Sequence, residues 1–289
     1  MSAPGPLPDH AKGAACVPGV PAVVHPLVTR VTAPNPSVMT GPGTNTYVVG
    51  DESVVVFDPG PQLTAHLELV TEVVAGREVT AVAVTHHHVD HAQGARALAS
   101  SVGAPVVGFG HEQFEVDVAA TEGSTLLAGG VELVAWHTPG HASDHLCFFA
   151  APLGWLFSGD HLMQGSTVVI RPPDGDLTAY LSSLARVRDD PRVTSLAPGH
   201  GRVMDEPSSA AADVLAHRER RGEIVLDALR THGAATAAAL RPFAYADVGP
   251  ERDAVATATC WAHLLALVDD GRATSSSPRI DPDAEFAAT

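Results

Sequence analysis

Thr85-His86-His87-His88-Val89-Asp90-His91 follows directly on an apolar, β-branched run at residues 79–84. The run reads as a buried strand, so the histidines gather just past a strand end. Imidazole and carboxylate suit zinc, iron or manganese rather than a thiolate-type site. The H-x-H-x-D-H spacing offers His86, His88, Asp90 and His91, more than one tetrahedral ion takes from a single loop. It points to two ions side by side, with His87 as a spacer that an extended backbone turns away.

Three further turns repeat the design. His137-Thr138-Pro139-Gly140-His141 follows an apolar run at 131–136, Phe157-Ser158-Gly159-Asp160-His161 closes one at 155–158, and Ala197-Pro198-Gly199-His200-Gly201 follows one at 193–196. Each sets a His or Asp on a tight Gly or Pro turn, and rigid strands fix the ligand directions. The set divides into His86, His88 and His141 for one ion and Asp90, His91 and His200 for the other. Asp160 bridges them through its two oxygens. Such a division leaves each ion a position for water, as a catalytic site requires. Two ions roughly 3.5–4 Å apart acidify a shared water, giving a bridging hydroxide, and stabilise the oxyanion it creates. Asp90 and Asp160 are therefore also read as catalytic, orienting the water and relaying its proton. Asp144, just after His141, reads as an acceptor for a ligand imidazole N–H.

The rest of the chain bounds the setting. Its 289 residues are 45% hydrophobic, enough for a sizeable core. It lacks a run long enough to span a membrane and a signal-type apolar segment near the start. Cys16, Cys147 and Cys260 are far apart and form no disulfide framework, so a cytoplasmic location is expected. The formal net charge of −16 opposes a general polyanion binder. Residues 1–22 are rich in Pro, Gly and Ala and read as a flexible tail.

Strands are expected at 46–49, 53–57, 79–84, 105–108, 131–136, 146–150, 155–158 and 193–196, with helices at 63–74, 92–100 and 177–188. The mixture is α/β, helices covering sheet faces, over residues 23–207. From 208 the pattern turns helical, at 210–230, 234–240 and 251–270. A polar stretch at 272–277 follows, and 281–289 reads as frayed. Three helices followed by that short polar stretch suggest a winged-helix-like unit over 208–289. Acidic residues outnumber arginines there, which disfavours DNA. Covering the metal edge or forming a homodimer contact suits it better.

In this order, THHHVDH, HTPGH, SGDH and PGHG resemble the metallo-β-lactamase superfamily of metal-dependent hydrolases, over residues 27–205. The resemblance implies a four-layer αββα sandwich with the metals at one edge. Asn35-Pro36-Ser37, Gly43-Thr44-Asn45-Thr46-Tyr47-Val48-Val49-Gly50 and Asp58-Pro59-Gly60-Pro61 are similar to the β-lactamase-like subfamily. Animal mitochondrial endoribonucleases and fungal polyketide thioesterases belong to it. Members carry a winged-helix-like C-terminal domain, and His217-Arg218 fits their pattern too. The resemblance implies two divalent metal ions, Zn2+ first and Fe or Mn as alternatives, with the ligand roles given above. A bridging Asp160 departs from true metallo-β-lactamases. The short interval between Asp160 and His200 leaves no room for the inserted domain of RNA-processing relatives.

The expected activity is hydrolysis of a thioester or ester on a small-molecule or carrier-bound acyl substrate. Single-strand endoribonuclease action is the alternative and would need phosphate-binding cations, for which Arg171, Arg218, Arg220 and Arg221 are candidates. A mononuclear iron sulfur dioxygenase is the third. Asn45, Arg171 and Arg218 are read as contacts to the substrate.

Overall fold

The computed structural model describes residues 3–277 and 281–289. Its first sheet has seven strands in chain order: β1 (Ala22–His25), β2 (Val28–Thr32), β3 (Asn45–Gly50), β4 (Ser53–Phe57), β5 (Glu78–Ala83), β6 (Val106–Gly108) and β7 (Val118–Ala119). The first four are antiparallel neighbours. From β4 onward the pairing is parallel, which requires crossovers. These contain α1 (Thr64–Val74), the one-turn α2 (Val89–Ala92) and α3 (Ala95–Val102). The second sheet contains β8 (Thr125–Ala128), β9 (Val131–His137), β10 (Leu146–Ala150), β11 (Trp155–Gly159), β12 (Ser195–Pro198) and β13 (Met204–Asp205), in the order β13-β12-β11-β10-β9-β8. Helix α4 (Leu177–Asp189) makes the one parallel crossover among them, from β11 to β12.

Alternation along the strands makes the layers. Val55 and Phe57 of β4 meet Leu146 and Phe148 of β10 between the sheets. Phe57 stacks on Phe157, with ring centroids 4.9 Å apart. The opposite residues, Val54 and Val56, pack outward on Val70 of α1 and Leu98 of α3. Cys147 and Phe149 pack outward on Leu184 of α4. The result is the expected αββα sandwich. Each fully buried large apolar side chain contributes about 1.5–3 kcal/mol of transfer free energy, so two sheets sharing one aromatic core make a stiff frame.

The C-terminal part contains α5 (Pro207–His232), α6 (Ala237–Ala244), a 3-10 turn at Pro250–Arg252, α7 (Asp253–Asp269) and a ribbon of β14 (Ala273–Ser275) with β15 (Phe286–Ala288). Ala210, Ala211 and Val214 of α5 join the outer layer beneath α4. Farther along, Val225, Leu226 and Leu229 pack with Leu240 and Leu264 around a separate cluster. One helix thus ties the sandwich to the tail. The end of the chain, expected to fray, is instead held. Residues 273–275 pair with 286–288, and Phe286 is fully buried.

Where the sequence suggests a loose tail, residues 10–16 lie along the β12–β13 edge. Lys12 N–H donates to the Val203 carbonyl at 2.7 Å, and buried Arg30 donates to the carbonyls of Ala14 and Ala15. Among the described residues no helix is long and apolar enough to cross a membrane.

Candidate metal centre

The C-terminal ends of β4, β5, β9, β11 and β12 open toward one edge of the sandwich, and each is followed by a polar residue in a short turn. His86, His88, Asp90 and His91 follow β5; His141 follows β9; Asp160 follows β11; His200 follows β12. The structure brings these seven residues together. His86 Nε2 lies 2.9 Å from His88 Nδ1, which is 3.0 Å from His141 Nε2. The ligand atoms of Asp90, His91 and His200 form a second group within 4.8 Å of one another. Asp160 lies between the groups. Its Oδ2 is 3.6 Å from His141 Nε2, while its Oδ1 is 3.3 Å from His91 Nε2 and 3.4 Å from His200 Nε2.

Partners behind the imidazoles set their tautomers. The Thr85 hydroxyl donates to Asp58 at 2.8 Å, so the 3.0 Å contact from His86 Nδ1 to that hydroxyl carries the imidazole proton. His91 Nδ1 donates to Asp58 Oδ2 at 2.9 Å, His141 Nδ1 to the Val169 carbonyl at 2.7 Å and His200 Nδ1 to the Gly43 carbonyl at 3.3 Å. All four Nε2 atoms thereby face inward and are acceptors whenever the rings are neutral. Among the described residues, buried His91 Nε2 and Asp160 Oδ1 have no hydrogen-bond partner. Lone pairs brought this close repel unless a cation lies among them, so the donor set fits divalent metal ions.

Charge follows the same division. Burial, with His91, His141 and His88 around it, holds His86 well below the usual imidazole range. Burial with His141 takes His88 down to about 3. On the other side burial opposes charge on His91, but Asp160, Asp90 and Asp58 outweigh it and raise His91 well above the usual range. Burial raises Asp90, yet His91 and His200 prevail and bring it down to about 2. Asp160 is likewise held low against its burial, by His200 and His91. The carboxylates and the lowered His86 and His88 are in the protonation states that bind metal, whereas His91 and His200, both raised, must each release a proton to a bound cation.

Glycine is required where backbone passes close to the ligands. A Cβ on Gly199 would lie 2.5 Å from His91 Cε1 and 2.9 Å from Asp160 Oδ1. Gly199→Ala is expected to leave the far-UV circular dichroism unchanged and to lower metal affinity at least about tenfold, as displacement of a ligand shell does. Wild-type affinity in a chelator competition would contradict this crowding.

Several expectations need correcting. Asp144 accepts from His87 Nδ1 at 2.9 Å rather than from a ligand imidazole. The reason is local: His87 turns out of the ligand cluster toward the loop after His141. Asn45, expected at the substrate, is fully buried. Its amide donates to the carbonyls of Pro198 and Gly201 at 3.0 and 2.7 Å, bracing the turn that carries His200. Arg218 is also buried and donates to the Val168 carbonyl. Arg171 is exposed. Asp58 was visible in the sequence only as a motif residue. Its backbone, with φ of 46°, turns a buried carboxylate back under the cluster.

A third grouping, His87, His111 and Asp174, lies beside the first. The two rings stack in parallel, 3.8 Å apart with 9° between planes. Their in-plane lone pairs therefore do not converge on one point, unlike those of His86, His88 and His141.

Comparison with known proteins agrees with this site. The model of the metallo-beta-lactamase superfamily matches residues 39–200, which includes all seven residues. An Aspergillus chevalieri protein named atrochrysone carboxyl ACP thioesterase is 33% identical over 221 residues, covering 72% of this chain and 67% of that relative. A Drosophila melanogaster beta-lactamase-like protein 2 homolog is 32% identical over 229 residues, covering 70% and 75% of the two chains. The crystal structure of a beta-lactamase domain protein from Burkholderia ambifaria superposes with a TM-score of 0.80 at 20% identity. It covers 94% of this chain and 95% of its own, a likeness of fold.

Proposed function

The chain belongs to the metallo-beta-lactamase superfamily of hydrolases, and on that premise we propose that it hydrolyses a thioester or ester with two divalent cations held at the sheet edge. The observation that carries the reading is Asp160, whose two oxygens face the two histidine groups. His86, His88 and His141 would hold one cation and Asp90, His91 and His200 the other, with Asp160 shared. Bound there, the ions would acidify a water between them and stabilise negative charge on the attacked group.

The chain's own residues do the rest. Asp58, Thr85, Val169 and Gly43 fix ring directions, so little reorganisation accompanies reaction. Asp90 is the more accessible carboxylate, its side chain 26% exposed against 11% for Asp160. It is placed to orient the attacking water and take up its proton.

The acyl reading draws support from the fungal relative's name and from the arginines. A phosphodiester substrate needs free cations near the site. Of the four candidates, Arg218 and Arg221 are buried and engaged, which leaves Arg171 and Arg220 exposed. We read residues 208–289 as a winged-helix-like unit, with β14 and β15 as its wing, serving the hydrolase rather than DNA.

The test is metal analysis of the native protein followed by a panel of acyl-CoA, acyl-carrier and glutathione thioesters, a lactone and single-stranded RNA. Two metals per chain, thioester turnover and intact RNA are expected. Cleaved RNA with intact thioesters would move the assignment to a nuclease. One iron per chain with oxygen uptake would move it to a dioxygenase.

A further inference from the structure

His141 depends on a stretch of backbone that makes no strand or helix of its own, though its Val168 and Ile170 side chains are buried beside α4 and α5. Its Nδ1 donates to the Val169 carbonyl at 2.7 Å, and residues 167–170 lie in neither a strand nor a helix. A ring oriented by such a carbonyl is only as well placed as the loop that carries it. The adjoining carbonyl, of Val168, accepts from Nη2 of Arg218. Arg218 comes from α5, some fifty residues along the chain, in the helix that leads into the C-terminal part. Consecutive carbonyls of one segment without regular backbone pairing are thus held by a candidate ligand imidazole and by a guanidinium from the tail.

The guanidinium is an expensive choice for this position. Arg218 is 3% exposed, and among the described residues no carboxylate pairs with it. Its Nε has no hydrogen-bond partner. Burial of a cation without an acid partner is costly, and a methionine would fill the space without that cost. What arginine adds is an N–H that reaches the loop. Its surroundings brace the same limb. The guanidinium lies 5.8 Å from the Tyr180 ring. The Tyr180 hydroxyl donates to the carbonyl of His161, next to Asp160, at 2.8 Å. The backbone of Tyr180 packs so closely on Gly140 that a Cβ there would lie 2.4 Å away.

We propose that Arg218 is a positioning residue for His141: through the Val168–Val169 carbonyls, the C-terminal helix sets the direction of a metal ligand. This rests on the reading of His141 as a ligand. It gives the tail a role in the metal site without a contact to substrate.

The test loads the full chain with Co2+ and measures affinity by chelator competition and coordination by visible absorption. Arg218→Met and Arg218→Gln are expected to lower Co2+ affinity about 10–100-fold, as loss of support behind a ligand does, and to shift the absorption bands. Arg218→Lys, which keeps a donor, is expected to recover much of both. Arg241→Met removes an ion pair with Asp253 elsewhere in the tail. It is expected to lower the melting temperature while leaving affinity and spectrum unchanged. Wild-type affinity and spectrum in both neutral Arg218 variants would overturn the proposal, as would an equal shift in Arg241→Met. If Arg218→Met does not fold, Arg218→Gln decides by the same criteria. His141→Ala separates the premises: if it leaves Co2+ binding intact, the ligand assignment fails rather than the positioning role.

Discussion

Asp160→Asn is expected to lower kcat/KM on the order of 10³-fold or more, equivalent to about 4 kcal/mol of transition-state stabilisation. The substitution keeps shape and size and removes one charge. Two consequences follow from the geometry. The carboxylate faces His141 with one oxygen and His91 and His200 with the other. An amide presents N–H to one of those sides, where a bound cation needs an oxygen lone pair. The side that meets the N–H loses its cation first, so metal content should fall toward about one ion per chain. Secondary structure should persist, because β11, which leads into the turn, is paired on both sides, with β10 and β12. Metal analysis, circular dichroism and steady-state kinetics on one preparation decide the matter. Full metal content with near wild-type turnover would remove Asp160 from the site. Stripping the wild-type protein with a chelator should abolish turnover, and adding Zn2+ should restore it.

The sandwich and the gathering of the candidate ligands were legible because their signals are local. Residues 54–57 and 146–150 are continuous apolar runs buried on both faces, and the candidate ligands are chemically distinctive side chains on Gly and Pro turns. What escaped reading depends on distant partners. β8 is half-exposed and short, and β15 exists only because residues 273–275 pair with it, so neither carries a hydrophobic pattern of its own. Asn45 and Arg218 are polar residues in recognisable motifs, and polar type alone suggests exposure to substrate. Both are buried by contacts more than 45 residues away in sequence, which no window of sequence displays. His87 was read as a spacer, while the carboxylate that its ring meets, Asp144, was assigned to a ligand imidazole. A carboxylate beside several histidines pairs with whichever ring the loop turns toward it.

Asp58 is the residue whose importance the tertiary structure adds, and its variants carry the second large expected effect. The carboxylate accepts from Thr85 N–H at 2.8 Å, from the Thr85 hydroxyl at 2.8 Å and from His91 Nδ1 at 2.9 Å. It thus orients His91 directly and His86 through Thr85. Asp58→Ala would leave all three donors buried and unpaired. At about 1–3 kcal/mol for each unsatisfied group, and with a positive φ that alanine tolerates poorly, this variant is expected to lose most of its stability. Asp58→Asn separates placement from folding. Asparagine tolerates the positive φ and keeps one acceptor, but three donors cannot share it equally. When the amide N–H faces His91, that ring favours the tautomer with its proton on Nε2, the nitrogen needed inside the cluster. Metal affinity should therefore fall about 10–100-fold, with a smaller loss of melting temperature than for alanine. Nitrogen chemical shifts of the His91 ring report the tautomer directly. Asp58→Asn with wild-type metal affinity and an unchanged His91 tautomer would show that the inward-facing nitrogen is set by something other than Asp58.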